Sequence, residues 1–210
     1  MITGPMFSGK TTVLFAVQAA ASRLHCGICA LKPALDHRYQ RLSPEIVSHT
    51  GTRIPAFASS TLRGLLDTLD SLFSTASVVL VDEAHMFNPE DLTNFLDFAV
   101  DHRLLHVVLA GVDHGTDRQA KFPGMSAACG RASSVHRLMA RCSFCSCEAP
   151  YSVRTTPVID NNWVGGAEAY SAVCRFHYHR ANIQRGDVFS SALHPRRRRR
   201  LVASRSRFCR

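Results

Sequence analysis

Residues 4–11 read Gly4-Pro5-Met6-Phe7-Ser8-Gly9-Lys10-Thr11 and match G-x-x-x-x-G-K-[S/T] at every fixed position. Gly4 and Gly9 permit backbone angles and close approaches that a Cβ would block. The loop amides then converge on phosphate oxygens, and a following helix adds its positive N-terminus. In that chemistry Lys10 reaches the β- and γ-phosphates of ATP, and the Thr11 hydroxyl ligates Mg²⁺. Such a loop needs an acid at the end of a neighbouring strand to help hold the metal. Val78-Val79-Leu80-Val81 ends in Asp82-Glu83-Ala84-His85 and supplies it. Asp82 stands where the apolar run stops, at the carboxyl edge where open α/β sheets bind ligands, and is assigned to Mg²⁺. Glu83 is the candidate general base for an attacking hydroxyl; the alternative is a solvated acid at a helix start.

Asp-Glu-Ala-His also fits a helicase box. Helicase engines need two such lobes, whereas this chain has room for one core and a small module, and shows no second nucleotide motif.

A second constellation is Cys142-Ser143-Phe144-Cys145 and Cys174-Arg175-Phe176-His177, two knuckles separated by 28 residues. Tetrahedral zinc takes two ligands from each of two such turns, and four protein ligands close the shell, so the metal is structural. Cys147 and His179 lie close enough in sequence to be alternative ligands. Cys26-Gly27-Ile28-Cys29 has the same spacing but falls at a strand, where residues three apart point to opposite faces; core packing is the expectation there.

These groups need elements to position them. A helix is expected from the phosphate loop to about Arg23, and strands at Cys26–Lys32, Ser77–Val81 and His106–Gly111. Helices are expected at Leu62–Phe73 and at Pro89–His102, the latter capped by Asn88. The stretch from Pro33 to about Ser60 is rich in Pro, Gly, Ser and Thr and reads as a long functional loop. Strands alternating with helices imply a parallel sheet covered on both sides. The expected fold is α/β: a P-loop NTPase core at 1–140, a small zinc-binding domain at 141–182 and a basic tail at 183–210.

The chain has 210 residues and a formal charge of +9. Eight of its 25 basic residues are arginines after Asp187, in a segment without acids, and setting them aside leaves 17 basic residues against 16 acidic. The body therefore carries no nucleic-acid charge signature. The tail reads as disordered and solvated, with nuclear import or RNA binding as its alternative. Between Cys142 and His177 the only basic side chains besides His177 itself are Arg154 and Arg175, which disfavours a zinc-knuckle nucleic-acid binder. No secretory signal or apolar run of membrane-spanning length is evident, so a cytoplasmic protein is expected.

In this order the motifs resemble the type II thymidine kinases, the zinc-containing family that includes the human cytosolic enzyme. The likeness runs from Gly4 to about Tyr178. It takes in Lys32-Pro33-Ala34-Leu35-Asp36-His37-Arg38-Tyr39, Ser48-His49-Thr50-Gly51, the Asp82-Glu83 box, and Ala110-Gly111-Val112-Asp113 with Arg118, Phe122 and Pro123. Val164-Gly165-Gly166-Ala167-Glu168-Ala169-Tyr170, between the knuckles, is similar to the family's nucleoside-binding loop. The resemblance implies a RecA-like core, a zinc-anchored lasso closing over thymine, and a homotetramer. It implies Glu83 as catalytic base, Arg38 as an aid to phosphate charge, and Ser152, Asn161, Trp163, Gly165 and Tyr170 as nucleoside contacts, with Phe122 as a packing wall. The implied reaction carries the ATP γ-phosphoryl group to the 5′-hydroxyl of thymidine or deoxyuridine. His85-Met86 replaces the family's usual polar-aromatic pair, Asp117 stands where an aromatic is usual, and Asp113 to Gly124 is one residue longer. These departures fall at the expected thymine pocket. Only Met1, Ile2 and Thr3 precede Gly4, too few for an ordinary central strand of about 5–6 residues. The expectation is an upstream apolar β segment, without which the sheet has a slot.

Overall fold

The computed structural model describes residues 1–36, 44–48, 51–62, 75–115, 122–156 and 165–183. The expected helix at Leu62–Phe73 falls almost wholly outside the described residues, as does the tail beyond 183. The chain divides into two compact units: residues 1–3, 9–113 and 121–138 in one, and 4–8, 114–120 and 139–210 in the other.

The first unit is built on a six-stranded sheet of order β5-β2-β6-β7-β1-β8. Its strands are β1 (Ile2–Thr3), β2 (Ile28–Pro33), β5 (Phe57–Ser59), β6 (Val78–Val81), β7 (His106–Gly111) and β8 (His136–Arg137). Every pairing among them is parallel, so all six carboxyl ends share one edge. The continuous apolar runs form the centre because both faces are covered. Val79 and Val81 enter one hydrophobic cluster with Phe95, Leu92 and Met125. Val78 and Leu80 enter another with Leu14, Ile46 and Ile54. The fold is α/β, as expected.

The helices of this unit follow their sequence signals with two differences. α1 (Lys10–Arg23) runs as expected, after Gly9. α2 (Pro89–Leu96) begins at Asn88, whose side chain accepts from the amides of Glu90 and Asp91. It changes to π-helix over Asp97–His102, where Arg103 N–H reaches the Phe98 carbonyl. The expected single helix from Pro89 to His102 is therefore two hydrogen-bonding regimes. α3 (Pro123–Arg131) was not expected. The Pro33–Ser60 stretch holds the antiparallel pair β3 (Glu45–Val47) and β4 (Arg53–Pro55), and then β5.

β1 is only two residues long. It pairs with Ala110 and Gly111 of β7 on one side and with His136 and Arg137 on the other. The first three residues of β7 are partly or fully exposed, while its last three are buried.

The second unit carries two hairpin-like pairs, β9 (Ala140–Arg141) with β10 (Glu148–Ala149) and β11 (Tyr151–Arg154) with β12 (Tyr170–Val173). α4 (Arg175–Ile183) follows. Its small core includes Ala149, Val153, Val173 and Tyr178, and Phe7 packs against it.

Candidate functional site

The phosphate loop begins where β1 ends. Gly9 has φ 85° and ψ 19°, a left-handed conformation that favours glycine, and leads directly into α1. No side chain among the described residues caps that helix, and no acid lies in its first turn. Its positive end therefore remains available to an anion. Phe7 is also left-handed, at φ 63°, which costs about 1–2 kcal/mol for a non-glycine residue. Within the second unit, Met6 N–H donates to Ser152 Oγ at 2.8 Å, and Phe7 rests on that unit's core. Ser8 Oγ is buried without a hydrogen-bond partner among the described residues. A buried hydroxyl of this kind costs free energy until an acceptor such as a phosphate oxygen meets it. The loop thus fits an anionic ligand on its own geometry.

The acids sit at the carboxyl edge of β6. Asp82 N–H donates to the Leu31 carbonyl, extending the β2–β6 register past the strand end. Its carboxylate accepts from Thr11 Oγ1 at 3.0 Å through Oδ2 and from Glu83 N–H at 3.0 Å through Oδ1. Burial and the neighbouring Glu83 charge push the Asp82 carboxyl up to about 7, against the Thr11 and Glu83 hydrogen bonds and the Lys10 charge. A carboxylate held this way has the chemistry to bind a divalent cation, which would restore its ionised form. Thr11 and Asp82, a hydroxyl and a carboxylate, are the hard oxygen donors Mg²⁺ takes. Lys10 is buried at the first position of α1.

Glu83 is buried and has φ 49° and ψ 37°. This left-handed residue precedes a 3-10 turn, Ala84–Met86. His85 Nδ1 lies 3.5 Å from Glu83 Oε2. The imidazole also accepts from Val112 N–H at 3.3 Å through Nδ1 and meets the Phe122 ring edge-on at 4.8 Å. At the same sheet edge Lys32 pairs with Asp36 at 3.5 Å, both side chains nearly buried, and donates to the Glu45 carbonyl.

In the second unit Cys142, Cys145, Cys174 and His177 bring their ligand atoms within 4.8 Å of one another. The knuckle between β9 and β10 offers two thiols; Cys174 at the end of β12 and His177 in α4 offer the rest. Cys145 Sγ and Cys174 Sγ are 3.8 Å apart, and His177 Nδ1 stands 3.4, 3.7 and 3.2 Å from the three sulfurs in chain order. Tetrahedral zinc, with bonds of about 2.3 Å to sulfur and about 2.0 Å to nitrogen, sets S···S edges of ~3.8 Å and S···N edges of ~3.5 Å. The cluster is compatible with zinc. Burial pushes the Cys145 thiol up to about 11, a cost that a metal ion reverses by binding the thiolate. Among the described residues the cluster comprises these four, and neither Cys147 nor His179 is in it. β2 starts at Ile28, two residues later than the expected strand, so Cys29 lies in it and is buried in one hydrophobic cluster, while Cys26 precedes it and packs against the other.

The loop before β12 is tightly folded. A Cβ at Gly165 would meet Ala169 Cβ at 2.6 Å and the Tyr170 ring at 3.3 Å, so only glycine fits. Gly166 N–H donates to Glu168 Oε1. Arg154 Nη1 donates to the Tyr170 hydroxyl at 2.7 Å, with its guanidinium 5.0 Å from the ring centroid.

A family profile described as "Thymidine kinase" matches residues 1–178. The chain belongs to the thymidine kinase family. A rice (Oryza sativa subsp. japonica) "Thymidine kinase" is 36% identical over 180 residues, covering 85% of this chain and 65% of its own length. "Thymidine kinase a" of Arabidopsis thaliana is 33% identical over 182 residues, with 85% and 73% covered. A Deinococcus radiodurans "Thymidine kinase" is 32% identical over 191 residues, with 83% and 86% covered. The chain thus spans about two thirds of the rice relative's length.

In this thymidine kinase family member, Thr11, Asp82, Glu83 and Phe122 lie in the sheet unit, with Lys10 buried at the start of α1. Met6 and Ser152 are joined in the second unit, where Gly165 and Tyr170 pack together. Arg38, Asn161 and Trp163, with Asp117, lie outside the described residues. The sequence reading placed His85 only as a departure from the family pattern and did not foresee its contact with Glu83. It also missed the Arg154–Tyr170 pair. The first depends on a left-handed Glu83, and the second on pairing two strands 16 residues apart.

Proposed function

We propose that this chain transfers the γ-phosphoryl group of ATP to the 5′-hydroxyl of thymidine or deoxyuridine, giving the 5′-monophosphate for DNA precursor synthesis. The observation that carries the reading is the Thr11–Asp82 hydrogen bond at 3.0 Å with Glu83 next in the chain. It joins the two Mg²⁺-type donors beside the phosphate loop and leaves an acid adjoining them. Gly4, Pro5, Met6, Phe7, Ser8 and Gly9 form the cradle, and Lys10 supplies fixed positive charge at the β- and γ-phosphates. Mg²⁺ held by Thr11 and Asp82 would neutralise charge on the transferring group. Glu83 orients the 5′-hydroxyl and takes its proton as the oxygen attacks phosphorus, while the bond to the β-phosphate oxygen breaks and ADP leaves. Arg38 assists with phosphate charge.

The family resemblance implies Ser152, Asn161, Trp163, Gly165 and Tyr170 as nucleoside contacts, with Phe122 as a packing wall. Gly165, which accepts no side chain, and the clamped Tyr170 support a preformed loop for the base. Zinc held by Cys142, Cys145, Cys174 and His177 would anchor the 141–182 segment. A cytoplasmic homotetramer follows from the family resemblance. No helix among the described residues is long and apolar enough to cross a membrane.

The test is an ADP-release assay with ATP and Mg²⁺ across a panel of thymidine, deoxyuridine, deoxycytidine and deoxyadenosine. Release dependent on thymidine or deoxyuridine is expected. Release indifferent to nucleoside would replace the reading with a P-loop ATPase or a kinase of another acceptor.

A further inference from the structure

We propose that Arg154 is a positioning residue for the nucleoside, acting through Tyr170 by fixing that side chain's ring and hydroxyl where β11 and β12 meet. This role rests on the reading of Tyr170 as a nucleoside contact. Arg154 ends β11 and Tyr170 begins β12. The two are direct partners in the antiparallel register, which also pairs Ser152 with Ala172. Side chains alternate along a strand, so Ser152, Arg154 and Tyr170 share one face of the pair. The proposed function gives two of these three to the nucleoside and leaves Arg154 without a part.

The backbone holds this junction without help from Arg154. Thr155 N–H donates to the Ala169 carbonyl at 2.8 Å, and Tyr170 N–H donates to the Gly166 carbonyl at 3.0 Å. Those bonds place the Tyr170 backbone but do not set where its phenol points. Arg154 acts on the phenol with two separate nitrogens. Nε donates to the Thr156 carbonyl at 3.1 Å, and Nη1 donates to the Tyr170 hydroxyl at 2.7 Å. A guanidinium carries donors only and keeps its charge, so the phenol oxygen is the acceptor in this bond, which is short and charge-assisted. The guanidinium is planar, so the bond from Nε fixes the direction in which Nη1 points. The ring is confined as well: a Cβ at Gly165 would stand 3.3 Å from Tyr170 Cε2. Tyr170 is buried, so water competes weakly for the contact. The hydrophobic cluster that holds Cys142 and Cys174 takes in Val153 and Val173 and, among the described residues, neither Arg154 nor Tyr170. Removing the guanidinium therefore leaves that core filled. Arg154 does not touch the nucleoside in this account; it acts through Tyr170.

The experiment is a double-mutant cycle with conservative rescue, read as thymidine KM, ATP KM, zinc content and melting temperature. Arg154→Met keeps an unbranched apolar stem and removes every donor. Tyr170→Phe keeps the ring and removes the hydroxyl that Arg154 holds. Each should raise the thymidine KM about 10-fold, as a displaced binding group does, with ATP KM, zinc content and melting temperature near wild type. Arg154→Lys restores a charged donor without the planar fork and should recover part of the loss. In the Tyr170→Phe background, Arg154→Met should cost nothing further, because there is no hydroxyl left to hold. A wild-type thymidine KM in either single variant would overturn the proposal, as would an undiminished penalty in the Tyr170→Phe background. Losses that track a lowered melting temperature or zinc content would assign Arg154 to folding alone and overturn it too. All of these results leave the proposed reaction standing, because the unsubstituted protein still turns over thymidine. Failure of that protein to release ADP with thymidine or deoxyuridine would remove the proposed reaction, and this role with it.

Discussion

In the sheet unit, four consecutive residues from Val78 to Val81 are buried and feed hydrophobic clusters on alternate faces. In the second unit the strands are two to four residues long, and its buried cluster includes Cys142 and Cys174. The first holds its shape by apolar area removed from water. The second has too little of it and brings four metal-type ligands together instead, as small metal domains do. The same chain therefore carries two kinds of stability. Gly9 to Thr11 start a helix of the sheet unit, while Met6 and Phe7 belong to the second unit, where Met6 N–H bonds Ser152 and Phe7 packs on the core.

The largest expected departure from this picture comes from breaking the metal cluster. Cys174→Ser should reduce zinc from one per chain to near none, raise the nucleoside KM about 10-fold or more, and weaken ATP binding through the lost Met6 support. Cooperative unfolding of the sheet should persist in calorimetry. Full zinc content in the variant would defeat the ligand set, and loss of all cooperative unfolding would defeat the division of labour.

The reciprocal change is smaller. Leu80 is fully buried, and Leu80→Ala should cost about 2–5 kcal/mol in denaturant unfolding while zinc stoichiometry stays the same. Loss of zinc in this variant would show that the two kinds of stability are not separable.

A third effect depends on pH. In the metal-free protein the Asp82 carboxyl is raised from 3.8 to about 7. The folded state then prefers the protonated acid, so this contribution is complete below the unfolded value and is lost as pH rises through about 7. Asp82→Asn should flatten that decline in metal-free buffer and abolish stabilisation by Mg²⁺ with ATP. An unchanged pH slope would remove Asp82 as its cause. The smallest effect is expected at the chain end: truncation after Asn182 should leave kcat and both KM values unchanged, and a large fall at matched folding would tie the arginine tail to the active assembly.

What the sequence made legible follows the same division. The phosphate loop, the buried runs 78–81 and 106–111, and the Asn88 cap are local signals, and each stands close to where its pattern pointed. The Cys/His cluster was legible because ligand chemistry restricts spacing; that Cys147 and His179 stand outside it needed coordinates. β3 and β4 each bury a single residue, Ile46 and Ile54, too few to show a period. β8 is exposed at both its residues, His136 and Arg137, and is a strand because β1 lies beside it. α3, rich in Gly, Ala, Ser and Cys, lacks a strong apolar stripe. His85 reaches Glu83 only because Glu83 is left-handed, a conformation that sequence does not announce for a glutamate.

The central claim is that Glu83 removes the proton of the acceptor while the loop, Thr11 and Asp82 hold the donor. Its most direct test is Glu83→Gln, with thymidine 5′-monophosphate formation measured at saturating ATP and ATP affinity measured on the same preparation. Transfer slowed by about 10²-fold or more, with ATP affinity close to wild type, is the predicted result. Near-normal transfer would contradict the account.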